Sequence, residues 1–194
     1  MKAKSVLNLY AGIGGNRKLW SDVKVTAVEI IPKIANTYKN SFPDDVVIVA
    51  DAHQYLLNHF KEYDFIWSSP PCVSHSVTNF FLNSQGIIRY PDIRLYEEIL
   101  FLKAFFKGKW CVENVKSYYE PLIKPYVVDR HYIWSNFYIP SMDFNDEIGT
   151  MNRAASKKCQ DKAIKSQLIR NCVKPEIGLY ILDCAFKGKQ EVLK

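Results

Sequence analysis

Two hydrophobic periods alternate along this chain. Ser5 to Tyr10 is a short apolar run that ends in the glycine loop AGIGG, which predicts a strand followed by a turn. Asn16 to Ser21 reads as a helix start, and the β-branched run Val23 to Val28 as a second strand. Ile31, Ile34, Ala35 and Tyr38 have helical spacing, so a helix is expected from Ile31 to Ser41, stopping before Phe42-Pro43. A third strand (Val46 to Ala50), a short helix (His53 to Phe60) and a fourth strand (Asp64 to Ser68) follow. The two prolines of SSPPC cannot continue a central strand, so a loop is expected at the carboxyl end of the fourth. Val73 to Tyr90 has no clear period. Asp92 to Phe106 returns to helical spacing, with Ile93, Tyr96, Ile99, Leu100, Ala104 and Phe105 available for a buried face. Strands are expected at Trp110 to Val112 and His131 to Phe137, and an amphipathic helix at Pro175 to Phe186.

Strands that alternate with helices imply an α/β fold: a Rossmann-like, mostly parallel sheet covered by helices on both faces. Ligands bind beyond the carboxyl ends of such strands, where the polar motifs of this sequence fall. The 194 residues suit one domain with a proper core, and no linker or repeat interrupts residues 1–194. No apolar run approaches the roughly 18 residues of a membrane span. The basic start before AGIGG reads as a first strand and not a signal peptide. The five cysteines are odd in number and form no CxxC pair, so neither a disulfide framework nor a metal site is expected. Reduced thiols suit the cytoplasm. A net charge of +6 suits a polyanionic partner, without deciding for one.

Gly12, Gly14 and Gly15 stand between a strand and the next element, where the backbone must turn sharply and approach a ligand closely. A dinucleotide would call for GxGxxG; GxGG suits a cofactor without phosphate, such as S-adenosylmethionine. Glu29 ends the second strand and is placed to accept from both ribose hydroxyls, with Ile30 on the adenine face. Asp51, at the end of the third strand, is placed to accept from the adenine amino group. A plain helix cap is the simpler reading of either acid alone. Cys72 follows Pro70-Pro71 on a stiff turn beyond a strand, a good place for a nucleophile, although most free cysteines are inert packing residues. Glu113, after the strand Trp110 to Val112, should reach the same sheet edge; in a poorly solvated pocket it would keep its proton and donate to a ring nitrogen.

NLYAGIGG, VEI, the AD at Asp51, SSPPC, ENV and RNCVKPEIG occur in the order seen in the DNA (cytosine-5)-methyltransferases, and from Leu7 to Gly178 the chain resembles a compact member of that family. The resemblance implies a Rossmann-like S-adenosylmethionine-dependent methyltransferase fold. It implies that Tyr10, Gly12, Gly14, Gly15, Glu29, Ile30, Asp51, Pro70 and Asn171 hold S-adenosylmethionine. It further implies that Cys72 attacks carbon 6 of a cytosine flipped out of DNA, that Glu113 binds its nitrogen 3, and that Arg130 stands beside them. The loop from Val73 to Tyr90 would close over the base, with Phe80 or Phe81 filling its gap or packing the closed loop; His75 receives no role.

Two features depart from the family. Its Gln-x-Arg-x-Arg pattern is replaced by Asp129-Arg130-His131-Tyr132, with Tyr132 near the place of the second arginine. Only residues 135–170 are left for target recognition, so a reduced insert with weak or short specificity is expected, or help from a second subunit or a homodimer. Restriction-modification, phage protection and regulation all suit such an enzyme, in a bacterial or phage-infected cell. RNA (cytosine-5) methylation and a non-catalytic nucleic-acid-binding subunit remain as alternatives.

Overall fold

The computed structural model describes residues 3–142 and 172–187. Its strands are β1 (Lys4–Leu9), β2 (Val23–Val28), β3 (Val46–Ile48), β4 (Phe65–Ser68), β5 (Lys109–Val115), β6 (Tyr126–Val128) and β7 (His131–Ser135). Its helices are α1 (Pro32–Ser41), α2 (Ala52–His59), α3 (Asn79–Ser84), α4 (Arg94–Phe105) and α5 (Pro175–Phe186). The strands form one sheet in the order β3-β2-β1-β4-β5-β7-β6. The first five in that order run parallel; β7 is antiparallel to both β5 and β6. The order reverses between β1 and β4, which opens a crevice at their carboxyl ends.

Period-two alternation sends neighbouring side chains of each strand to opposite faces. Val6, Phe65, Trp67, Cys111 and Ile133 join Ile177, Ile181 and Leu182 of α5 on one face. Leu7, Leu9, Ile66, Val112 and Trp134 join Leu56 of α2 and Leu95, Ile99 and Leu102 of α4 on the other. Helices therefore cover both faces, as the sequence predicts. α1 starts with Pro32 in its first turn, and Asp51 caps α2 by accepting from Gln54 N at 2.9 Å.

The structure corrects several expected elements. Asn16 to Ser21 forms successive turns, with Arg17 N on Gly14 O and Trp20 N on Arg17 O, and not a helix start. The helix after Asp92 buries Tyr96 and Ile99 as expected, but with Leu95, Glu98 and Leu102 beside them, while Ile93, Leu100, Ala104 and Phe105 are exposed. β5 runs on to Val115, so Glu113 is a strand residue and does not follow the strand. The unpatterned stretch after Cys72 contains α3, and β6 pairs with β7 as a hairpin. Of the expected insert at 135–170, residues from 143 onward lie outside the described residues.

Candidate active site

A cavity of about 390 Å³ opens at the carboxyl ends of β1, β4 and β5. The glycine loop after β1 supplies Tyr10, Gly12 and Gly15; the loop after β4 supplies Pro70 and Cys72; β5 supplies Glu113; and the turn into β7 supplies Arg130 and His131. A second cavity of about 190 Å³ is walled by Glu29, Ile30, Asp51, Arg94 and His75, and shares Tyr10, Pro70 and Pro71 with the first. All three expected catalytic residues thus border one space. The expected cofactor residues among those described border the two cavities, except Gly14. Asn171 lies outside the described residues, although its successors Cys172 and Val173 border the larger cavity.

The glycine loop is built by close approach. Gly12 and Gly14 have positive φ (56° and 81°), which favours glycine. A Cβ on Gly12 would meet no atom within 4 Å, so the cavity is left open there. A Cβ on Gly15 would lie 2.6 Å from Cys172 Cβ, and one on Gly14 2.3 Å from the Phe42 ring. Glu29, almost fully buried, accepts from the backbone N–H groups of Gly12 and Ile31 at 3.0 Å each, which fixes its carboxylate in the wall. Each oxygen keeps a second lone pair for a ligand hydroxyl. Asp51 is the helix cap of its simpler reading and also a wall of the smaller cavity.

Cys72 is half-buried, and its carbonyl accepts from His75 N and Ser76 N at 3.0 Å each, closing a turn. Asn114 Nδ2 donates to Pro70 O at 2.9 Å, which ties the PPC loop to β5. Burial, and then the negative charge of Glu113, push the Cys72 thiol up, so it is protonated in the free protein. Burial also pushes Glu113 up to about 7, opposed by a hydrogen bond with Ser69 and by the Arg130 cation. His131 Nε2 is 3.7 Å from Glu113 Oε1, too long for a hydrogen bond. Burial and Arg130 bring His131 down to about 4, so near neutral pH this contact is not an ion pair. Tyr132 is absent from the cavity: it packs with Trp134 on the α4 face, and His131 borders the pocket in its stead. Phe80 and Phe81 are exposed, with Phe80 edge-on to Tyr118.

Glu98 of α4 escapes a reading of the sequence. Its carboxylate, fully buried, accepts from Tyr10 Oη at 2.6 Å and Ser68 Oγ at 2.5 Å, and lies 3.0 Å from His53 Nδ1. One side chain thereby ties together the end of β1, the end of β4 and the start of α2, three of the segments around the smaller cavity. In a helical pattern a glutamate reads as a solvent-facing position; only its three distant partners reveal it.

The raised Glu113 has a measurable consequence. The folded state holds a proton that the unfolded chain releases near pH 4.5, so Glu113 contributes stability below pH 4.5 that is lost as pH rises through about 7. That rise corresponds to about 3 kcal/mol. His131 acts with the opposite sign, its stability being lost as pH falls from 6.5 through about 4. Urea denaturation of wild type and Glu113→Gln at pH 5 and pH 8 cancels the His131 part. The variant should gain about 2.5 kcal/mol on wild type between the two pH values; equal changes in both proteins would contradict a buried, proton-holding Glu113.

Part of the chain matches a known family. Residues 4–93, just under half of the chain, match the family model of C-5 cytosine-specific DNA methylases. The match includes the glycine loop, Glu29, Asp51 and Cys72. A search of curated proteins returns no match. Among solved structures, a conserved hypothetical protein of Streptococcus pyogenes is 12% identical, with 70% of this chain and 86% of that chain covered and a TM-score of 0.43. A mutant of Spodoptera frugiperda DNMT2 is 25% identical over 58% of this chain and 36% of its own, with a TM-score of 0.41. A putative DNA modification methyltransferase encoded within an Escherichia coli prophage is 23% identical over 60% and 33%, with a TM-score of 0.39. Sheet order, glycine loop and family match together define the S-adenosylmethionine-dependent methyltransferase fold, and S-adenosylmethionine is the cofactor that the joined cavities fit. Taken together, the two volumes fall within the small-molecule range, and charged and polar groups stand among mainly apolar walls.

Proposed function

We propose that this protein methylates carbon 5 of cytosine in DNA, with Cys72 as covalent nucleophile. The observation that carries the reading is the meeting of Cys72 and Glu113 in the cavity that the glycine loop borders, where burial favours the protonated form of Glu113. Glu29, Ile30 and Asp51 would take the adenosine part of S-adenosylmethionine in the smaller cavity, and Gly12, Gly15 and Val173 would border its methionine part. When bound, the cofactor supplies an electrophilic methyl group on a sulfonium sulfur.

Carbon 5 of cytosine is a poor nucleophile until the ring is activated. Sγ of Cys72, its proton passed to solvent at the half-open mouth of the cavity, bonds to carbon 6. The displaced electron pair is drawn toward nitrogen 3, where Glu113 presents its proton, and carbon 5 becomes enamine-like. Carbon 5 takes the methyl group, the electron pair of the broken methyl–sulfur bond staying on sulfur as a neutral thioether, and then gives up its own proton to solvent. The returning electron pair breaks the sulfur–carbon 6 bond, which frees Cys72 and restores the ring. Arg130, an exposed cation at the mouth, offsets negative charge on the base and a phosphate. The pocket admits one base and no duplex, so the cytosine must leave its stack.

The test supplies methyl-labelled S-adenosylmethionine with unmethylated duplex DNA or total RNA, followed by digestion to nucleosides. Label in 5-methyldeoxycytidine is the expected result. Label in RNA alone would move the substrate to RNA, and label in neither would point to a non-catalytic subunit.

A further inference from the structure

The other edge of the sheet carries a groove of about 930 Å³. It lies where the chain enters β1, β4 and β5, six strand residues or about 20 Å from the glycine loop. Lys4, Lys61, Lys107 and Lys109 all border it. None of the four makes an ion pair among the described residues. The one acid in the lining, Asp64, is held by the N–H and hydroxyl of Ser5 at 2.8 and 3.0 Å. Four cations around one hollow repel each other and favour a polyanion.

Aromatic rings interleave with these lysines. The Lys4 ammonium is 5.5 Å from the centroid of Phe186, and that of Lys61 is 5.4 Å from the centroid of Phe60. Phe105, at the end of α4, leaves 62% of its surface in water at the rim. A duplex offers phosphates alone, because its base faces are stacked inside. A single strand offers phosphates to the lysines and an unstacked base to an exposed ring, and cationic grooves with aromatic platforms take such strands. We propose that this groove is a second, non-catalytic site that binds single-stranded nucleic acid, with backbone phosphates on the lysines and a base on Phe105. It stands on features that the methyl-transfer site does not use.

Fluorescence anisotropy of the full chain with labelled oligothymidylate, without cofactor, tests this apart from any reaction on cytosine. The double variant Lys61→Ala/Lys107→Ala should weaken binding at least about tenfold and flatten the plot of log affinity against log salt by about 1.4, roughly 0.7 per lost phosphate contact. Phe105→Ala should weaken binding about tenfold with the salt slope unchanged. Thermal denaturation of each variant establishes that it is folded; all three positions face solvent, so wild-type stability is expected. Unchanged affinity and slope in the folded variants would overturn the proposal. So would equal binding of polyglutamate or of a duplex of the same charge with no effect of Phe105→Ala, which would make the groove a site for acidic polypeptides or for duplex backbone.

Discussion

Replacing Cys72 with alanine is expected to lower methyl transfer to cytosine by about 10⁴-fold or more, roughly 5 kcal/mol in barrier height, because carbon 5 loses its route of activation. Affinity for S-adenosylmethionine should change less than about twofold, because the fixed polar groups Glu29 and Asp51 belong to the other cavity. A second readout isolates the covalent step. DNA containing 5-fluorocytosine cannot lose fluorine as a proton is lost, so wild-type protein should remain attached to it through denaturing electrophoresis, and the variant should not. The informative comparison is Cys172→Ala, since that thiol borders the same cavity and is also pushed up by burial. An adduct that survives loss of Cys72 and vanishes with loss of Cys172 would transfer the nucleophile to the other residue.

Gly178→Ala is expected to be nearly as damaging, although Gly178 borders neither cavity. Its added Cβ would lie 2.1 Å from Asn16 O and 2.8 Å from both Asn16 C and Cα. All three are backbone atoms, so no rotamer relieves the clash and α5 must back away from the glycine loop. Asn16 is itself held, donating to buried Asn8 Oδ1 at 2.9 Å. Displacing α5 also disturbs Ile177, Ile181 and Leu182 in the core. A loss of about 3 kcal/mol follows, equivalent to a fall in Tm of about 6–12 °C. Cofactor affinity should drop about tenfold or more, because Val173 and Gly15 border one cavity from the two sides of this contact. A variant within 1 °C or so of wild type that binds the cofactor normally would show that the loop and α5 are not coupled.

The order of elements and the placing of the site were legible because they rest on local signals. Glycines, prolines and acids at strand ends mark loops wherever they stand, and the topological reversal between β1 and β4 then collects them. Burial along α4 was legible only at Tyr96 and Ile99. Ile93, Leu100 and Phe105 are as apolar as Leu95 and Leu102, and the face that turns inward contains Glu98, so hydropathy alone misplaces the edges of the buried stripe. The sequence puts Glu113 beyond its strand because a carboxylate ends the apolar run Trp110 to Val112. The strand continues because Asn114 and Val115 pair with Tyr132 and His131 across β7. The exchange of Tyr132 for His131 at the pocket has the same origin: alternation in β7 depends on a register that the sequence does not state.

Trp67 lies wholly inside the core and donates its indole N–H to Ser69 Oγ at 2.8 Å, and Ser69 is in turn hydrogen-bonded to Glu113. The fold has thereby wired a natural fluorophore to the acid of the cavity through a single hydroxyl. A change of charge on Glu113 is therefore expected to alter emission from that indole, and comparison with Trp67→Phe would separate this change from the signal of Trp20, Trp110 and Trp134.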